Sequence, residues 1–298
     1  MTYKICCLRR DLKYGLFFIS PSVVFFLLFW IMPVLLALYY SLTRWKVGRP
    51  GTFIGFKNYT NLLTDPQFHR SIQASLTITL LAVAGTMVLS LILAVLLNDE
   101  HLRGGRLMKT LIILPVVTDW VATGLVWQLI FLPHSGVLAG IFSFLGLREL
   151  MGLGWTATKS LAPFAIVIFI VWKTTGLYTI IFLAGLRSIP RQYTEAALVD
   201  GANAWQAFVN ITLPLLRPIT VFVLVTAFVN TMGLFEPVFM LTGGGPSDAT
   251  RVLPIFLYET FFQFRNGGYA SAAGVLFLVL CLGFALLSAR SLQYSYYE

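Results

Sequence analysis

The sequence predicts an all-α membrane protein with six transmembrane helices. Three observations carry that prediction. Of 298 residues, 58% are hydrophobic and only 11% are charged, less than half the roughly 25% charged share of soluble domains. The mean hydropathy is +0.82. The apolar residues fall in unbroken runs, and about 20 residues at 1.5 Å each cross the hydrocarbon core, whereas a β-barrel would show short alternating segments.

The spans follow in order. Residues 16–42 form the first, behind Lys4, Arg9, Arg10 and Lys13. That run is too long for a signal-peptide core and no A-x-A site follows it, so it reads as a retained helix. The second span, 72–97, is joined by a short turn, 98–106, to the third, 107–131, with Asp119 at its middle. The fourth, 161–185, carries Lys173 at its middle. The fifth, 219–241, carries Asn230 and Thr231 near its middle and Glu236 nearer one end, beside Pro237. The sixth is 270–290. Three long connectors, 43–71, 132–160 and 242–269, hold turn chemistry such as Gly48-Arg49-Pro50-Gly51 and Gly243-Gly244-Gly245-Pro246. An even number of spans puts both termini on one side. The Lys and Arg bias favours the cytoplasmic side by a small margin, against a first outer connector that holds Arg44, Lys46, Arg49, Lys57 and Arg70. Gly85, Gly124, Gly176, Gly185, Gly274 and Gly283 are expected to serve helix packing.

Several classes are set aside. The net charge of +9 lies mostly in short loops and flanks, which suits anionic lipid headgroups better than nucleic acid. Cys6, Cys7 and Cys281, with His69, His101 and His134, make no metal-binding or disulfide spacing. No phosphate-binding glycine loop ending in Lys-Ser/Thr occurs, so any nucleotide chemistry falls to another chain. A membrane enzyme would need carboxylates or His gathered near one interface, and these are scattered. An ion-gradient-driven secondary transporter is the alternative that the midplane charges allow.

The segment 186–218 interrupts this hydrophobic chain with polar sequence. Pro190 suits a first helical turn, and Tyr193, Ala196 and Ala197 share one face at i, i+3, i+4. Gly201 can end the helix in the left-handed region. Trp205, Phe208 and Val209 repeat the spacing, and Pro214 and Pro218 are expected to break the chain before the fifth span. Two short amphipathic helices with a glycine elbow result. Glu195 and Asp200 hold their polar face, where a surface-lying helix usually carries Lys and Arg.

Glu195-Ala196-Ala197, then three residues, Gly201, nine residues and Ile211-Thr212-Leu213-Pro214 resemble the EAA motif of ABC importer permeases at every fixed position. Gly55-Phe56-Lys57-Asn58-Tyr59, Arg106, Leu114-Pro115, Leu186-Arg187-Ser188-Ile189-Pro190 and Leu241-Thr242-Gly243-Gly244-Gly245-Pro246 are similar to the sugar-importer branch, the maltose and glycerol-phosphate type. The resemblance covers nearly the whole chain. It implies a permease subunit in a bacterial inner membrane, with residues 1–15 and 291–298 cytoplasmic and 16–290 the six-span domain. Loop 186–218 would be a cytoplasmic coupling loop docking on an ATPase through Glu195, Ala196, Ala197, Asp200, Gly201, Trp205, Ile211, Leu213 and Pro214. The implied partners are a second, homologous permease in a heterodimer, two ATPase subunits that use ATP and Mg, and an extracytoplasmic substrate-binding protein. This chain itself would bind no cofactor and no metal.

Ionisable groups inside a bilayer are costly and usually face a cavity or a partner. The six spans are expected to cross fully, which puts Asp119, Lys173, Asn230 and Thr231 at one depth, where transporters commonly hold substrate. By the resemblance, Lys173 with Thr174 and the turn 231–234, ending at Leu234, match sugar-contacting stretches. Trp172 and Tyr178 offer stacking faces, and Glu236 completes the expected path. The competing reading is that Asp119 and Lys173 only form a buried ion pair.

Overall fold

The computed structural model describes residues 17–99 and 102–293. Cys6, Cys7, the basic residues before position 14, the boundary at 15 and most of the expected tail lie outside them. Within them the chain is helical apart from loops and one two-stranded hairpin, and it divides into two compact units, one built from residues up to Thr64 with Leu257–Phe277, the other from Asp65–Phe256 with the residues from Leu278 onward.

In the first unit, α1 (Phe17–Ser41) is a 25-residue helix without a charged residue. It leads into an antiparallel hairpin, β1 (Thr43–Arg44) on β2 (Thr52–Phe53). The Asn58 side chain donates to the Ser41 carbonyl at 2.8 Å and to the Thr43 carbonyl at 2.9 Å, and the Tyr59 hydroxyl donates to Ser41 Oγ at 2.7 Å. The Gly55–Tyr59 sequence thus ties α2 (Lys57–Thr64) to the end of α1. Trp45 stacks on Tyr40 at 4.5 Å, and its carbonyl accepts from Gly268 N–H at 2.9 Å.

The second unit is organised by α3 (Pro66–Asn98) against α7 (Ala162–Ser188), its most extensive helix pair. Asp65 caps α3 by accepting from Gln67 N–H at 2.8 Å, as short polar side chains do at helix starts. Ser71, Ser75, Thr79, Thr86 and Ser90 form a buried hydroxyl stripe along α3. Thr86 meets Thr174 at 3.1 Å, and Ser90 donates to the Thr175 carbonyl at 3.0 Å. Ile78, Ala82, Ile166, Phe169 and Ile170 fill the apolar core beside it.

Two expected spans are corrected. The third does not cross as one rod. It is two helices, α4 (Gly105–Val117) and α5 (Trp120–Ile130), bent by 103°. Pro115 lies inside α4 and lacks an N–H, and Asp119, in extended conformation, caps α5 by accepting from Val121 and Ala122 N–H at 2.8 and 3.0 Å. The fifth starts earlier and ends sooner than 219–241: α9 runs Ala204–Met232. Pro214 and Pro218 do not break it. A π turn at Phe208–Thr212 precedes Pro214 and widens the helix where that ring would strike the preceding turn. The chain breaks instead at Gly233, and Glu236 opens a separate short helix, α10 (Glu236–Leu241), which packs on α5. Among the described residues, five helices are therefore long and apolar enough to span a membrane, six with the bent pair counted as one. Connector helices α6 (Val137–Phe144) and α11 (Leu253–Tyr258) precede the last long helix, α12 (Gly267–Gln293).

Of the packing glycines, Gly176 is the tightest: a Cβ there would collide with the Ile112 carbonyl of α4. Gly85, Gly124 and Gly185 also face side chains of other helices, whereas a Cβ at Gly283 would meet nothing within 4 Å.

Candidate functional site

Two sites take shape in the second unit. The first is the elbow after α7. Helix α8 (Arg191–Val199) ends with Asp200 as its last half-turn and Gly201 at φ +90°. Gly201 N–H donates to the Leu198 carbonyl at 3.1 Å and Ala202 N–H to the Ala197 carbonyl at 2.9 Å. That bond pair is the Schellman closure, which needs a residue at positive φ. Two residues on, Asn203 starts α9 with a capping box: its Oδ1 accepts from Gln206 N–H at 2.9 Å, and Gln206 Oε1 accepts from Asn203 N–H at 2.8 Å. The capping box was legible as Asn-x-x-Gln but lay outside the residues the motif singles out.

The elbow thus has a stop and a start within four residues, each hydrogen-bonded locally, and it keeps its shape without help from the rest of the chain. Glu195, Ala196, Asp200, Gly201, Trp205 and Pro214 are exposed, while Ala197, Ile211 and Leu213 are half-buried. Val199 is 87% exposed and Trp205 71%, so the elbow presents apolar side chains beside its two carboxylates. Behind it, a cavity of about 670 Å³ opens between Leu198, Trp205 and Phe208 of the elbow and Leu91, Val95 and Leu96 of α3.

The second site is a cavity of about 320 Å³ where the α4–α5 break meets α7 and α9. Lys173, Thr174, Tyr178, Asn230, Thr231 and Leu234 line it. Asn230 Nδ2 approaches the Tyr178 hydroxyl at 3.4 Å. Val116, Leu177 and Trp120 complete the wall; the sequence reading missed these three, although Trp120 directly follows the capping Asp119. The Lys173 ammonium lies 5.2 Å from the centre of the Trp120 ring.

Three expected path residues are placed elsewhere. Trp172 sits on another face of α7, against Trp127 at 5.4 Å, and lines an apolar groove with Ile112 and Pro115. Glu236 is half-buried on α10 and Asp119 is exposed; neither lines the cavity. The competing reading, an Asp119–Lys173 ion pair, gives way to a main-chain arrangement. Lys173, only 2% exposed, donates to the Thr118 carbonyl at 2.5 Å, to Thr118 Oγ1 at 2.7 Å and to the Asp119 carbonyl at 3.4 Å. Thr118 Oγ1 can accept because its own hydrogen goes to the Pro115 carbonyl at 2.6 Å. Lys173 therefore supplies a donor to the Thr118 carbonyl at the break, whereas the Asp119 carbonyl also accepts from Thr123 N–H at 3.2 Å and Thr123 Oγ1 at 2.6 Å.

On the opposite end of α3, Arg70 and Arg251 bracket Asp248 at 3.6 and 3.1 Å, and this acid–base group borders a polar cleft that Lys159 also lines.

Comparison with known proteins places the chain in a family of transport components. The family model described as binding-protein-dependent transport system inner membrane component matches residues 86–293, which include the elbow and the cavity. A probable ABC transporter permease protein of Pyrococcus horikoshii is 34% identical over 273 residues, covering 91% of this chain and 93% of that one. The trehalose/maltose transport system permease protein of Thermococcus litoralis is 33% identical over 279 residues, with 93% of each chain covered. Among solved structures, a chain of a bacterial ABC transporter involved in the import of the acidic polysaccharide alginate superposes with a TM-score of 0.82, at 24% identity and 98% coverage of both chains.

Proposed function

Because the chain belongs to the binding-protein-dependent transport system inner membrane components and is a multi-pass ABC importer permease rather than an enzyme, we propose that it forms one half of the membrane pathway for a sugar or sugar derivative, driven by ATP that separate subunits hydrolyse. The observation that carries this reading is the elbow. Its Schellman closure and capping box fix two helical turns at a set angle, and its exposed Glu195, small Ala196 and apolar Val199 and Trp205 suit a cleft in a partner that offers a cation and an apolar floor. ATP and Mg act in that partner and not in this chain.

Each permease half takes one ATPase through one elbow, so a second, homologous permease and two ATPase copies complete the unit. A substrate-binding protein delivers sugar to the face opposite the elbow. With the elbow in the cytoplasm, both termini are cytoplasmic when the α4–α5 pair counts as a single span. Sugar passes the cavity beside Lys173, whose hydroxyl, amide and indole groups suit a polyol: hydrogen bonds orient it and a ring stacks on it.

The test is reconstitution with partners in proteoliposomes. Glu195→Lys should leave ATP hydrolysis running while sugar uptake falls by about tenfold or more, since a reversed charge at a buried interface costs at least ~1.4 kcal/mol. Uptake that persists without ATP but follows an ion gradient would establish a secondary transporter instead.

A further inference from the structure

The cavity beside Lys173 raises a question of charge. A buried ammonium is the obvious receptor for an anionic sugar, and the structural neighbour belongs to an importer of an acidic polysaccharide. Here the geometry argues otherwise. An ammonium has three N–H donors and no acceptor. Lys173 gives its two short bonds to the break, at the Thr118 carbonyl and the Thr118 hydroxyl, and its third contact, at 3.4 Å, is the Asp119 carbonyl, which also accepts from Thr123. Its charge faces the carbonyl end of α4, where the helix dipole is negative, and the Trp120 ring covers another side. The other polar groups on the cavity wall are uncharged: Thr174, Tyr178, Asn230 and Thr231. A carboxylate, sulfonate or phosphate entering here would shed water and find only a cation whose short bonds and charge are turned to the break, which is a large penalty in a low-dielectric site.

We infer that Lys173 is a positioning residue that holds the α4–α5 break, and that the cavity is matched to uncharged sugars and excludes acidic ones. This rests on the reading of the cavity as the sugar path. Lys173 acts through the break: it satisfies the Thr118 carbonyl where α4 stops, and so sets the angle at which Trp120 presents its ring to the cavity. Specificity then arises from which groups are left over after the break is satisfied, and those groups are neutral.

The experiment uses the assembled transporter in detergent without its binding protein, so that only the membrane chains select. It reads thermal stabilisation by neutral trisaccharides (maltotriose, arabinotriose) against acidic ones of the same length (a guluronate trimer, a galacturonate trimer). Stabilisation by a neutral trimer and by no acidic one is expected. In Lys173→Met the neutral stabilisation should drop without any acidic stabilisation appearing, and in Lys173→Arg, which keeps donors for the break, part of it should return. Acidic stabilisation in the wild type would overturn the inference, whether or not Lys173→Met abolishes it. Should Lys173→Met fail to assemble, the wild-type comparison and the Arg variant still decide. Stabilisation by neither class, together with absent uptake of both in proteoliposomes, would overturn the sugar-path reading itself; uptake of sugars with no stabilisation would overturn only the cavity assignment.

Discussion

Gly201 and Asp119 show how much one residue can settle. Gly201 holds φ +90° with nothing within 4 Å of where a Cβ would lie, so substitution there is opposed by backbone strain and not by crowding. Gly201→Val should destabilise the elbow by roughly 1–2 kcal/mol, and Gly201→Asn by less, because Asn tolerates the left-handed region. ATPase stimulation by loaded binding protein, compared between the two variants, checks that order; equal effects would mean that the partner senses side-chain bulk alone. Asp119 was legible as a polar residue in an apolar run, but its task was not. It caps α5 with two backbone bonds and does not neutralise Lys173. Asp119→Ala should therefore cost about 1 kcal/mol and Asp119→Ser much less. Combining Asp119→Leu with Lys173→Met should leave stability below that of either single variant, where an ion pair would give rescue. Thermal melts of the three variants measure this. Hydropathy and spacing found both residues, but the direction of a side chain at a helix break depends on the fold around it.

At the scale of elements, the hydrophobic runs located the first, second, fourth and sixth spans, because desolvation dominates in a bilayer, but misplaced the fifth, which runs Ala204–Met232, and hid the bend in the third. The interruptions were harder to read. A window average over 107–131 hides Thr118 and Asp119 among apolar neighbours, and Pro115 by itself signals only a kink. The two prolines before the fifth span misled in the other direction, since a π turn at Phe208–Thr212 accommodates what an ideal helix could not. What fixes the bent pair in place is Gly176, at which α4 and α7 touch backbone to backbone. Gly176→Val should force the helices apart at a cost of about 1–3 kcal/mol, seen as lower yield and a lower melting temperature of the complex. Gly283→Ala, with open space around it, should change neither by more than ~0.5 kcal/mol.

For the molecule as a whole, the fold class and the importer family were legible because a fixed motif spacing coincides with a strong membrane signal. The proposed partners match a chain with one elbow and no nucleotide loop. It should purify with a second permease of similar size and two ATPase copies, as native mass of the detergent complex would record; a functional homodimer would contradict this. The broken third span also bears on how the protein is made. Its halves are 13 and 11 residues long, each well short of the roughly 20 that cross a bilayer unaided. The Thr118 carbonyl between them is met by an ammonium more than fifty positions downstream at Lys173, and an unsatisfied carbonyl is costly in lipid. The bend is therefore expected to form late in biogenesis, once α7 has left the ribosome and Lys173 can meet the Thr118 carbonyl; a nascent chain truncated before Lys173 should hold residues 105–131 in another form.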